Sequence, residues 1–137
     1  MKLASRIFLI AGIYGLIVLV PQYFTEKMFS EQNPPALTHP EFYYGFVGIA
    51  VAWQIAFLII SRDPLRYRIL MVPSVLEKIT FGGAVLVLFG QKGISKTTLG
   101  FAIVDLCLAV LFTIAYFRTN PLAGTAIGES ASKPTIH

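Results

Sequence analysis

Four apolar stretches, at about residues 4–24, 42–61, 69–90 and 97–117, each run for the roughly 20 residues that a helix needs to cross hydrocarbon. Inside a bilayer every backbone N–H and C=O must be paired within the protein, which turns uninterrupted apolar runs of this length into helices. The expected fold is therefore all-α, a four-transmembrane-helix bundle with up-down-up-down topology. The spans and their short connections take up residues 1–118, leaving no room for a second domain. Residues 119–137, small, polar and interrupted by Pro121 and Pro134, are expected to form a flexible cytoplasmic tail.

Composition narrows the function classes. Hydrophobic residues make up 55% of the chain and charged residues 13%, about half the charged share of a soluble domain. The formal charge of +4 is carried mostly at span ends, where anionic lipid headgroups rather than nucleic acid are the natural partners. Cys107 is the only cysteine and lies inside the fourth span, which excludes a membrane thiol–disulfide oxidoreductase. Lys2 and Arg6 ahead of Ile7–Val20 resemble the start of a signal peptide. The run continues into Val20-Pro21-Gln22-Tyr23-Phe24 without a small-x-small cleavage site, so a retained anchor is expected.

Basic residues also orient the chain. With the N-terminus inside, Lys2, Arg6, Arg62, Arg66, Arg68, Arg118 and Lys133 fall on the cytoplasmic side, against Lys27, Lys92 and Lys96 outside. The positive-inside rule then places both termini in the cytoplasm. In the outer loop of about 17 residues, Thr38-His39-Pro40-Glu41 fits a capping box, with the Thr38 hydroxyl serving an orphan N–H. A metal or proton site at His39 would have only Glu31 and Glu41 as companions. The third span admits two layouts around Pro73. One helix kinked at Pro73 could run from about Ile69, or a span could begin at Ser74, where Ser74-Val75-Leu76-Glu77 again fits a capping box. The second layout puts Glu77 at headgroup level, with Lys78 snorkelling beside it.

Small residues mark faces where helices can approach closely: Ala11 and Gly15 in the first span, and Gly48, Ala52 and Ala56 in the second. Asp105 stands apart, deep in the fourth span with no capping role. A bare carboxylate there costs a few kcal/mol, so it must face the bundle interior, be paired or be protonated. It shares a helical stripe with Thr98, Ala102, Ala109, Phe112 and Tyr116, less lipid-like than the opposite face. Folding the third and fourth spans about residues 91–96 brings Asp105 within reach of Lys78. Folding the second and third about Leu65 sets Trp53 and Gln54 beside Glu77 and Lys78. Trp53, Gln54, Glu77, Lys78 and Asp105 are therefore the candidate ligand-binding residues, with a register-fixing ion pair as the structural alternative.

The run Tyr43-Tyr44-Gly45-Phe46-Val47-Gly48 leading to Trp53-Gln54, then Arg62-Asp63-Pro64, Leu76-Glu77-Lys78 and Val104-Asp105-Leu106, resembles small bacterial four-span membrane proteins of the DoxX-like kind. The resemblance implies a four-helix bundle in a bacterial inner membrane. It carries over no activity, cofactor or catalytic residue.

Other four-span chemistries lack their residues. The first span, Ala4–Phe24, has no carboxylate for small-multidrug-type antiport, and no His lies in any span to hold haem. Gly90-Gln91-Lys92-Gly93 is not a phosphate-cradling loop. No catalytic residue, metal ligand or cofactor site is therefore assigned. Three roles remain: binding a lipid, quinone or other apolar small molecule; docking onto another membrane protein or a second copy as an accessory subunit; or a small membrane enzyme using Asp105 or Glu77 as acid or base. The shortage of paired reactive groups favours the first two.

Overall fold

The computed structural model describes residues 1–119 and, within them, leaves the side chain of Lys92 aside. The predicted tail from residue 120 onward lies outside the described residues. The chain forms helices α1 (Lys2–Leu19), α2 (Glu26–Gln32), α3 (Pro40–Arg62), α4 (Met71–Lys92) and α5 (Lys96–Arg118), with 3₁₀ turns at Val20–Phe24 and Arg68–Leu70. Four segments are long and apolar enough to cross a membrane: Lys2–Phe24, Pro40–Arg62, Arg68–Gln91 and Lys96–Arg118. They match the expected spans to within two residues at each end. The protein is an all-α four-helix bundle of the integral membrane type.

Each helix boundary has a local cause. Pro21 cannot donate to the α-helical ladder, so the first span tightens into a 3₁₀ turn for its last residues. Pro40 occupies the first turn of α3, where its missing N–H had no partner to lose. Gly93 ends α4 in the left-handed region at φ 66°. Ser95 then opens α5, its hydroxyl accepting a hydrogen bond from the Thr98 amide at 3.2 Å.

Two capping expectations fail. Thr38 does not cap α3; His39 is the N-cap residue, and its Nδ1 lies 3.0 Å from Glu41 Oε1. Nor does a helix begin at Ser74. A single helix starts at Met71 and passes through Pro73 in its first turn, where proline costs the ladder nothing. Ser74 is interior, and its hydroxyl donates back to the Leu70 carbonyl at 2.6 Å. Glu77 is thus neither a cap nor a headgroup-level residue.

The end of the bundle that carries the termini is densely packed. Phe8 and Phe112 stack with ring centroids 4.2 Å apart, and Phe57 meets Phe112 edge-on at 4.9 Å. All three are fully buried, with Ile60 and Met71 beside them. Polar clamps tie the helices at the same end. The Ser5 hydroxyl donates to the Ser61 carbonyl at 2.6 Å, and Arg68 Nε donates to the Tyr116 carbonyl at 3.2 Å, its guanidinium lying over the Tyr116 ring.

The first span packs closely on α3 and α4 on α5, whereas α3 and α4 barely touch. Close approach of the first pair depends on Gly12 and Gly15. A Cβ on Gly12 would meet Leu58 Cδ2 at 2.8 Å, and one on Gly15 would run into the Gln54 side chain. The expected small-residue face of the second span is displaced. The buried stripe of α3 is Tyr43, Val47, Ala50, Gln54 and Phe57, while Ala52 is exposed. Large exposed side chains such as Ile10, Ile17, Ile49 and Val110 cover the outer surface, as lipid contact requires.

Candidate functional site

Helical periodicity turns Asp105 inward. Ala102, Ala109 and Phe112 on the same stripe are buried, with Asp105 itself 16% exposed at its side chain. Gly82 in α4 lies against Leu106 and the Ala102 carbonyl, which holds α4 and α5 at short range. Lys78, one turn from Gly82, is thereby carried to Asp105: its Nζ lies 3.1 Å from Asp105 Oδ1. The same ammonium lies 3.2 Å from Glu77 Oε2 and donates to Glu77 Oε1 at 3.4 Å. Glu77 Oε2 is fully buried and accepts no hydrogen bond among the described residues, because the lysine approaches it out of line. Lys78 does not snorkel to the surface; it is 7% exposed at its side chain and sits between two acids.

The group lies at membrane depth. Lys78 is within two residues of the middle of the Arg68–Gln91 span, Asp105 within two of the middle of Lys96–Arg118. At a rise of about 1.5 Å per residue both stand within about 3 Å of the middle of their helices.

These charges border a cavity of about 80 Å³, room for several water molecules. Tyr14 and Gly15 come to it from the first span, Gln54 from α3, Glu77, Lys78 and Phe81 from α4, and Phe101 and Asp105 from α5. Gln54 is 2% exposed and donates to the Ala50 carbonyl at 3.0 Å. It therefore forms the wall opposite the ion pairs instead of joining them. Trp53 is not part of that wall. It lies about 100° round the helix from Gln54 and packs into the aromatic core, its ring centroid 6.1 Å from Phe57. The sequence expectation that placed Trp53 in the cluster is corrected accordingly.

Tyr14, Phe81 and Phe101 were not anticipated. Aromatic residues in an apolar run carry no signal that separates a cavity wall from a lipid-facing surface. A larger cavity of about 480 Å³ adjoins it toward the loop end. Val18, Gln22, Phe81 and Phe101 border both. The outer space is lined by Phe29, Tyr43 and Phe46, and its rim by Asn33, Ser95 and Thr98. Its volume lies within the roughly 300–1,000 Å³ usual for small-molecule sites. Toward the termini the Phe8–Phe57–Phe112 stack closes the bundle, with the Lys78 ammonium 5.5 Å from the Phe57 ring centroid.

The arrangement can fix a ligand's polar group by charge-assisted hydrogen bonds. Cys107 takes no part in it, being exposed on the outer surface. Among the described residues no three His, Cys, Asp or Glu side chains converge as metal ligands would. Comparison with protein-family models, with curated proteins and with solved structures finds no match to the chain.

Proposed function

We propose that this integral membrane protein binds a lipid, quinone or other apolar small molecule, with the ligand's polar group held at the mid-membrane cluster and its apolar body in the outer cavity. One observation carries the reading. A cavity bordered by Gln54, Glu77, Lys78 and Asp105 adjoins an aromatic vestibule of small-molecule size on the loop side, and the aromatic core packs the bundle on the other. A pair serving only to fix helix register needs no such space beside it. An enzyme would need a second group in reach of the reacting atom and matched in pKa. Glu77 and Asp105 share one lysine, which suits them to holding a ligand.

The same proposal places the protein in a bacterial inner membrane with both termini cytoplasmic, following the basic residues and the resemblance to DoxX-like four-span proteins. The vestibule then faces the outer side. Lipids are its immediate partners, and a membrane-protein partner or second copy would belong to the accessory role. Reporter fusions test the orientation: the 62–68 loop should read inside and the 91–96 loop outside. Ligand binding is tested by thermal unfolding of wild type and Asp105→Asn against a panel of lipids and quinones. Stabilisation of wild type alone, by about 2.7 kcal/mol at a hundredfold excess over Kd, supports a site. No ligand effect, with another membrane protein co-purifying in fixed ratio, supports the accessory role instead.

A further inference from the structure

The mid-membrane cluster holds two carboxylates, Glu77 and Asp105, against one ammonium, Lys78 Nζ, at 3.2 and 3.1 Å. No other basic side chain lines the inner cavity or the outer one among the described residues. With all three groups ionised, one negative charge is left over. In hydrocarbon such an imbalance is strongly unfavourable and is relieved by a bound proton or by a compensating positive group. The unmet need has a location. Lys78 Nζ is shared between Asp105 at 3.1 Å and Glu77 Oε2 at 3.2 Å, and among the described residues Glu77 Oε2 accepts no hydrogen bond. The neighbouring walls are aromatic, with Tyr14, Phe81 and Phe101 bordering the space. Aromatic rings attract cations and repel anions. The outer cavity on the loop side is lined by uncharged polar groups, among them Gln22, Ser95 and Thr98, and by apolar rings. A small positive head on an apolar tail meets no repelling charge there until it reaches Lys78.

We propose that the ligand group seated against Glu77 is a single ammonium carried on an apolar body, an amphipathic amine that enters from the loop end. This rests on the reading of the cavity as a ligand site and narrows its ligand class. The amine supplies the missing positive charge beside the Glu77 carboxylate, which borders the cavity. Lys78 stays with Asp105, and the tail occupies the vestibule between Phe46, Phe81 and Phe101. The inner cavity is the smaller of the two, about 80 Å³ against about 480 Å³, which suits a compact head such as a primary amine.

The test uses the purified full chain in a non-ionic detergent with three probes of one chain length: dodecylamine, dodecanol and dodecanoate, each below its micellar concentration. Binding is read as the shift in thermal unfolding and as Kd by titration. Dodecylamine should bind wild type at least about tenfold more tightly than dodecanol, the ratio that one charge-assisted hydrogen bond in a desolvated site supplies. Dodecanoate should bind weakest. Glu77→Gln removes the surplus charge, so the amine-to-alcohol ratio should fall to about one. Lys78→Met leaves two uncompensated acids, and dodecylamine should stabilise it more than it stabilises wild type. Equal binding of amine and alcohol to wild type overturns the ammonium while leaving a ligand site in place. An amine preference that persists in Glu77→Gln overturns it as well. No response of wild type to any of the three, nor to the quinones and lipids above, overturns the ligand site itself.

Discussion

Replacing Lys78 by methionine should destabilise the protein more than replacing either acid, because the lysine is the partner both acids share. Its Nζ is 3.1 Å from Asp105 and 3.2 Å from Glu77, and its side chain is 7% exposed. Methionine fills much of the same volume, so packing loss is small and the effect is electrostatic. Two buried carboxylates are then left without a cation, and removing one partner of a buried pair costs about 3–5 kcal/mol. Asp105→Asn is a milder change. Lys78 keeps Glu77, and the asparagine carbonyl can still accept a hydrogen bond from the ammonium. The loss is that of one charged hydrogen bond, about 1.5–3 kcal/mol. The double variant Lys78→Met/Asp105→Asn leaves one acid in place of two. It should recover part of the single-variant loss, with a coupling energy of about 1–3 kcal/mol. Reversible unfolding in mixed micelles, followed through the fluorescence of the single tryptophan Trp53, gives the four free energies. Additive effects would remove the pairing from the account. So would a Lys78→Met variant as stable as wild type, which would mean that the lysine leaves the cluster in a lipid environment.

Two further substitutions test the packing that positions the site. Gly15→Ala places a methyl against Gln54, whose Cγ lies 2.7 Å from the added carbon; overpacking should cost about 1–3 kcal/mol, whereas Gly45→Ala, where the added carbon meets nothing within 4 Å, should leave the unfolding midpoint unchanged. Phe112→Ala opens the seal between Phe8 and Phe57, with an expected cost of about 3–5 kcal/mol and new access to the cluster from the termini end; a drop well below this range in the same unfolding assay would show that the stack is not the plug.

How much of this was legible in the chain depends on the range of the signal. Span positions follow from run length alone and came out within two residues. Asp105 was placed inward because its stripe of Ala102, Ala109 and Phe112 repeats at the helical period. Lys78 followed as its partner from antiparallel folding about a short loop. The third span misled because Ser74 and Glu77 have capping-box spacing. That motif acts only on a residue outside the helix, and nothing in the local sequence shows that α4 has already begun at Met71. Trp53 and Gln54 are adjacent and point about 100° apart; which of them lines the cavity depends on the rotation of α3. That rotation is set by contacts such as Gly15 against Gln54, which lie far apart in sequence. Tyr14, Phe81 and Phe101 were invisible for the same reason. An aromatic ring at mid-span is equally at home against lipid and against a cavity, and only the neighbouring helices decide.

The central claim is a mid-membrane polar site open at the loop end and closed at the end of the termini. Cysteine accessibility tests it most directly. In a Cys107→Ser background, Gln54→Cys puts a thiol on the cavity wall and Ile60→Cys puts one in the aromatic plug. Sealed vesicles of each orientation are then treated with a membrane-impermeant, positively charged thiol reagent. The account predicts modification of the thiol at position 54 from the loop side only, slowed by a bound ligand, and none at position 60 from either side. Modification at position 54 from the termini side, or from neither side, would contradict it.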